Sequence, residues 1–112
     1  MISFKRPSID WGKVRMKKLE EIVQILREHK GELAQRYGVR ELAIFGSYVR
    51  GEATPESDLD ILVEFDDPPG FFRFLQLEQY LSELLGVRVE LVTRQALKPH
   101  IGQHILQEAL EI

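Results

Sequence analysis

The 112-residue sequence contains no cysteine, which excludes disulfides and thiolate-bound zinc and fits a reducing compartment. No uninterrupted apolar run approaches the length needed to cross a bilayer, and the first residues lack the apolar core of a signal peptide, so a soluble, cytoplasmic protein is expected. Repeats, low-complexity tracts and internal domain boundaries are also missing. Neither sign of charge dominates: 15 Lys and Arg against 18 Asp and Glu leave a formal net charge of -3 and a pI near 5.6. That balance argues against broad electrostatic binding of nucleic acid and gives weight to protein or small-molecule partners. The length allows one core but no separate substrate-binding domain. A second substrate therefore has to be presented by another molecule.

What the chain does contain is concentrated in two short stretches. The apolar run 42–45 ends at Gly46-Ser47, the pattern of a buried strand giving way to a tight turn and a helix start. Such a turn suits an anion. Glycine leaves room for a phosphate, freed backbone N–H groups of the next turn point at it, and the Ser47 hydroxyl adds a donor. Arg50 lies one helical turn further on and reads two ways, as a guanidinium directed at phosphate or as an ion-pair partner of Glu52 or Glu56. The second stretch is Asp58-Leu59-Asp60 followed by Ile61-Leu62-Val63, which opens a strand. Side chains alternate along a strand, so Asp58 and Asp60 share a face and offer hard oxygen ligands of the kind Mg²⁺ takes. The competing reading is a solvated acidic turn.

A third acid comes from Val87-Arg88-Val89-Glu90-Leu91-Val92-Thr93, whose β-branched alternation predicts another strand. If it lies beside the Asp58 strand, Glu90 completes a three-carboxylate site able to hold one or two divalent ions against a triphosphate. Otherwise Glu90 is a surface residue paired with a neighbour such as Arg88.

Gly46-Ser47, a spacer, Asp58-x-Asp60 and a later acid on a neighbouring strand resemble the nucleotidyltransferase superfamily typified by DNA polymerase β. The short spacer is similar to that of its smallest branch, the minimal nucleotidyltransferase domains that act as antitoxins beside toxins of the HEPN class. The resemblance runs from about Lys17 to the C-terminus and takes in Tyr37-Gly38-Val39, Arg50-Gly51-Glu52, Ser57 and the segment 85–93. It implies an α/β fold with a small mixed sheet of three or four strands, helices on one face and the site on the open face.

The resemblance also implies the chemistry. Asp58, Asp60 and Glu90 would be catalytic and bind two Mg²⁺ ions, while Gly46, Ser47 and Arg50 would hold the triphosphate of ATP. A tyrosine hydroxyl of a cognate HEPN ribonuclease would attack the α-phosphate in line, take AMP and release pyrophosphate, the two proteins forming a hetero-oligomer. Family members commonly carry aspartate where this chain has Glu90. The alternatives are an antitoxin that neutralises by binding alone and a nucleotidyltransferase acting on a small molecule.

The remaining segments read as scaffold. Residues 1–13 form an irregular arm carrying Trp11, and 14–112 the domain. Leu19, Ile22, Val23, Leu26 and Leu33 predict an amphipathic helix over 14–37, weakened at Gly31 and capped by Gly38. A second helix is expected over 71–85, closed by Gly86, and a third within 95–110, started around Pro99. Ser57 is expected to brace the turn before Asp58. Tyr48 either stacks on a base or packs. His100 and His104 have metal-sharing spacing on that last helix but no further ligand nearby, and read as ordinary surface residues.

Overall fold

The structure, a computed structural model, describes residues 18–97 and 99–112. The expected arm 1–13 with Trp11, and the start of the first helix at 14–17, lie outside the described residues.

Helix α1 (Leu19–Tyr37) begins where Glu21 accepts the Lys18 backbone N–H at 2.8 Å, and ends at Gly38, which is left-handed with φ 71°. Strand β1 (Val39–Phe45) follows at once and runs into the Gly46 turn and the single-turn helix α2 (Ser47–Arg50). Strand β2 (Leu59–Phe65) returns antiparallel to β1. Helix α3 (Phe71–Leu85) then crosses over to strand β3 (Val89–Thr93), which lies parallel to β2, the connection a parallel pair requires. A short 3₁₀ turn at Arg94–Ala96 leads to α4 (Pro99–Glu108) and a two-residue strand β4 (Leu110–Glu111). The four-stranded mixed sheet has the order β3-β2-β1-β4.

Period-two alternation sorts the sheet residues. Leu42 and Ile44 of β1, Leu59, Ile61 and Val63 of β2, and Val89 and Leu91 of β3 point to one face. There they meet Ile22, Val23, Leu26 and Leu33 of α1 and Leu77, Leu81 and Leu85 of α3 in the main core. Burying a side chain of this size stabilises by about 1.5–3 kcal/mol, so this face fixes which way every β2 residue points. Asp60 and Leu62 are thereby turned to the other face.

That other face is less open than the sequence suggests. Ile105 of α4 and Ala109 just after it, with Leu97, pack over Ala43, Phe45 and Leu62 in a second small cluster. The apolar residues of α4 need cover, and the sheet beyond Asp60 supplies it. The outer edge of β3 is also closed: Val89 N–H donates to Ser82 Oγ at 3.0 Å and Leu91 N–H to Glu78 Oε2 at 2.9 Å. Two polar side chains of α3 thus take the place of a further strand. Gly31 sits in mid-α1 without interrupting it, and a Cβ there would meet nothing within 4 Å.

Candidate active site

Strand register brings the predicted acids together. Asp60 stands between Phe45 of β1 and Glu90 of β3 as the direct partner of each. Because Leu59, Ile61, Val89 and Leu91 face the core, Asp60 and Glu90 emerge side by side on the opposite face. Asp60 is half-buried and Glu90 exposed. Burial pushes the Asp60 carboxyl up to about 6, helped by the Glu90 charge, a hydrogen bond with Glu90 and the Asp58 charge, while Arg50 opposes the rise. An acid held this far above its ordinary value marks a place where negative charges crowd without enough cation.

Gly46 lies against the same carboxylate. A Cβ added there would collide with Asp60 Oδ2, and the glycine's φ of 84° and ψ of -151° belong to a region that side chains avoid. Glycine is therefore required for the β1 turn to approach Asp60. Ser47 opens α2, and Val49 and Arg50 close that turn by donating their N–H groups to the Gly46 carbonyl, each at 3.1 Å.

Arg50 makes ion pairs with Glu52 at 3.0 Å and Glu108 at 3.2 Å. The Glu52 pair is one of the two roles open to it from sequence; Glu108 is a partner the sequence did not suggest. Asp58, just before β2, pairs with Arg88 at 3.6 Å, so Arg88 serves Asp58 rather than Glu90. Ser57 braces the preceding turn as expected, its Oγ accepting the Thr54 N–H at 2.9 Å. Tyr48 packs: it is 6% exposed within the main core, and burial raises its hydroxyl above the usual tyrosine range. His104 is exposed on α4, and the side chain of His100 lies outside the described residues.

Among the described residues no three acidic or histidine side chains close around one point as a finished metal cage. The donor set nevertheless suits Mg²⁺. Asp60 is perturbed by both Glu90 and Asp58, so three hard oxygen donors share one crowded field, and no soft ligand is present to favour another ion. A cleft of about 440 Å³ on this face is lined by Ala43, Leu62, Glu64, Arg94, Leu106 and Leu110, among others. It lies towards the other end of β1 and β2 and includes none of Gly46, Asp58, Asp60 or Glu90. The carboxylate cluster and that cleft are therefore separate features of the same face.

This chain is similar to known proteins in sequence and in structure. The nucleotidyltransferase domain family matches residues 26–112. The protein adenylyltransferase MntA of Thermococcus cleftensis is 52% identical over 94 residues, covering 84% of this chain and 95% of that protein. A solved minimal nucleotidyltransferase superposes with a TM-score of 0.73 at 35% identity, covering 88% of this chain and all of that one. A complex of tri-AMPylated Shewanella oneidensis HEPN toxin with MNT antitoxin superposes with a TM-score of 0.53 at 22% identity, covering 82% of this chain and 66% of the matched chain. At that identity the last likeness is one of fold.

Proposed function

The chain belongs to the nucleotidyltransferase domain family, and from that membership and the site geometry we propose that it is an antitoxin that transfers AMP from ATP to a tyrosine of a cognate HEPN toxin. The observation that carries this reading is the in-register pair Asp60–Glu90 beside the glycine turn. It puts an anion-accepting backbone and a crowded carboxylate cluster within one side chain of each other.

In this reading Gly46, Ser47 and Arg50 hold the β- and γ-phosphates, and Asp58, Asp60 and Glu90 hold Mg²⁺. Mg²⁺, when bound, neutralises charge on the triphosphate and on the departing pyrophosphate. Ionised Asp60 would be a ligand of that ion, which would relieve the crowding that raises its pKa, and Asp58 would turn to it from the exposed Arg88, a weak partner in solvent. Exposed Glu90 faces the incoming acceptor and takes the proton of the tyrosine hydroxyl. The hydroxyl oxygen bonds to the α-phosphorus, the bond to the bridging oxygen breaks, and pyrophosphate departs with that electron pair. The adenylyltransferase name of the Thermococcus relative and the AMPylated toxin in the Shewanella complex support the choice of AMP and of a protein acceptor.

The decisive experiment is the intact mass of the co-purified partner after incubation with ATP and Mg²⁺. Wild type is expected to add one or more AMP units and an Asp58→Asn, Asp60→Asn variant none. A partner that stays unmodified while the complex remains tight would point to neutralisation by binding alone. Glu90→Gln keeps the side-chain shape but removes the base, and its transfer rate is expected to fall by about a hundredfold. Transfer at the wild-type rate would remove Glu90 from the mechanism.

A further inference from the structure

The glycine turn already holds an anion from this chain. Glu108 Oε2 accepts the Gly46 N–H at 2.8 Å, and its two carboxylate oxygens stand 3.3 and 3.2 Å from Arg50 Nη1. Glu108 is the last residue of α4, where the helix's unpaired carbonyls disfavour a carboxylate. Its place is therefore set by the donors it reaches, and β4 delivers it to them. Ala43 opposes Glu111 and Ile44 opposes Leu110, and this pairing anchors the chain two residues after Glu108 beside the strand that ends at Gly46.

We propose that Glu108 is a built-in competitor for the triphosphate, filling the phosphate position on Gly46 and Arg50 until the α4–β4 segment withdraws it. This rests on the assignment of those two residues to phosphate under the proposed function. A phosphate oxygen and the Glu108 carboxylate carry the same sign of charge and need the same donors, so they exclude each other. Polyphosphate affinity is then reduced by the fraction of molecules in which Glu108 has withdrawn. The contact is strong enough to bias the site and weak enough to yield: Arg50 is half exposed and Glu108 about a quarter exposed, with water ready to replace either.

The test is calorimetric titration of the full chain with inorganic tripolyphosphate, with the Gly46 amide resonance followed by NMR. Wild type is compared with Glu108→Gln, Glu108→Ala and Glu111→Gln; the last removes the same charge from the exposed β4 residue. Both Glu108 variants are expected to bind about tenfold tighter, with the Gly46 amide shifted before any ligand is added, while Glu111→Gln behaves as wild type. Unfolding curves verify that each variant is folded, and the alanine variant serves if the glutamine one is not. If wild type binds tripolyphosphate and the Glu108 variants bind equally or more weakly, the competitor role is overturned and the carboxylate merely orients Arg50, leaving the phosphate assignment intact. If neither wild type nor variant binds, the phosphate assignment itself fails and the competitor role with it.

Discussion

Asp60→Asn is expected to lower transfer by about a thousandfold and at the same time to raise the melting temperature of the metal-free protein. The two effects have one cause. In the folded chain the Asp60 carboxyl is pushed from 3.8 up to about 6 by burial and by the neighbouring Glu90 and Asp58. The folded state therefore prefers the protonated acid, a preference present in full below pH 3.8 and lost as pH rises through 6. At pH 7.5 the ionised carboxylate is a net cost to folding. With solvent screening of this half-buried group the cost is about 1–2 kcal/mol, and asparagine removes it without changing shape. For a domain of this size the gain is about 5 °C, measured by thermal unfolding in EDTA. Wild-type stability should also decline between pH 4 and pH 6.5 in a component that Asp60→Asn lacks. Adding Mg²⁺ should reverse the ranking, since an ion that binds only the folded wild type stabilises it by mass action. A variant no more stable than wild type in EDTA would mean that charge crowding is not stored at this position.

The same crowding explains how much of the site was legible beforehand. Alternation along a strand is a local signal, so Ile61 and Val63 in the core were enough to turn Asp60 outward, and Val89 and Leu91 did the same for Glu90. That the two would meet depended on β2 and β3 being parallel neighbours in register, a non-local fact that the motif resemblance supplied and periodicity could not. Helix α3 (Phe71–Leu85) was readable because a broad apolar face is bounded by Pro-Gly and Gly86. Strand β4 was not, because two exposed residues carry no period. Glu108 was missed with it, since nothing in its local sequence says that a helix end will be carried back against the Gly46 turn. The partner of Asp58 was likewise hidden. Arg88 and Glu90 share a strand face by alternation, yet Arg88 reaches across to Asp58, and choosing between long exposed side chains is a matter of reach, not pattern.

The turn itself is where backbone and chemistry are least separable, and Gly46→Ala is expected to damage both. The substitution meets two independent obstacles. Its φ of 84° and ψ of -151° lie where an L side chain costs about 1–3 kcal/mol, and the new Cβ collides with Asp60 Oδ2. Asp60 cannot retreat as a whole, because its backbone is held opposite Phe45 and Glu90 on either side. Its carboxyl must therefore swing away from Gly46, which disturbs the proposed ligand set. A loss of about 2–4 kcal/mol in stability and of at least about a hundredfold in transfer is therefore expected, read by denaturant unfolding and by the mass assay. Gly31→Ala is the control: it sits in mid-helix with nothing within 4 Å of the added carbon, and should stabilise by about 0.5–1 kcal/mol with unchanged transfer. The double variant Gly46→Ala, Asp60→Ala separates the two obstacles. It removes the collision and leaves the strained backbone, so it should recover part of the lost stability and none of the activity, a coupling expected only of residues in direct contact. Full additivity of the two substitutions would show that Gly46 and Asp60 do not meet, and with that the glycine turn would lose its place beside the carboxylates.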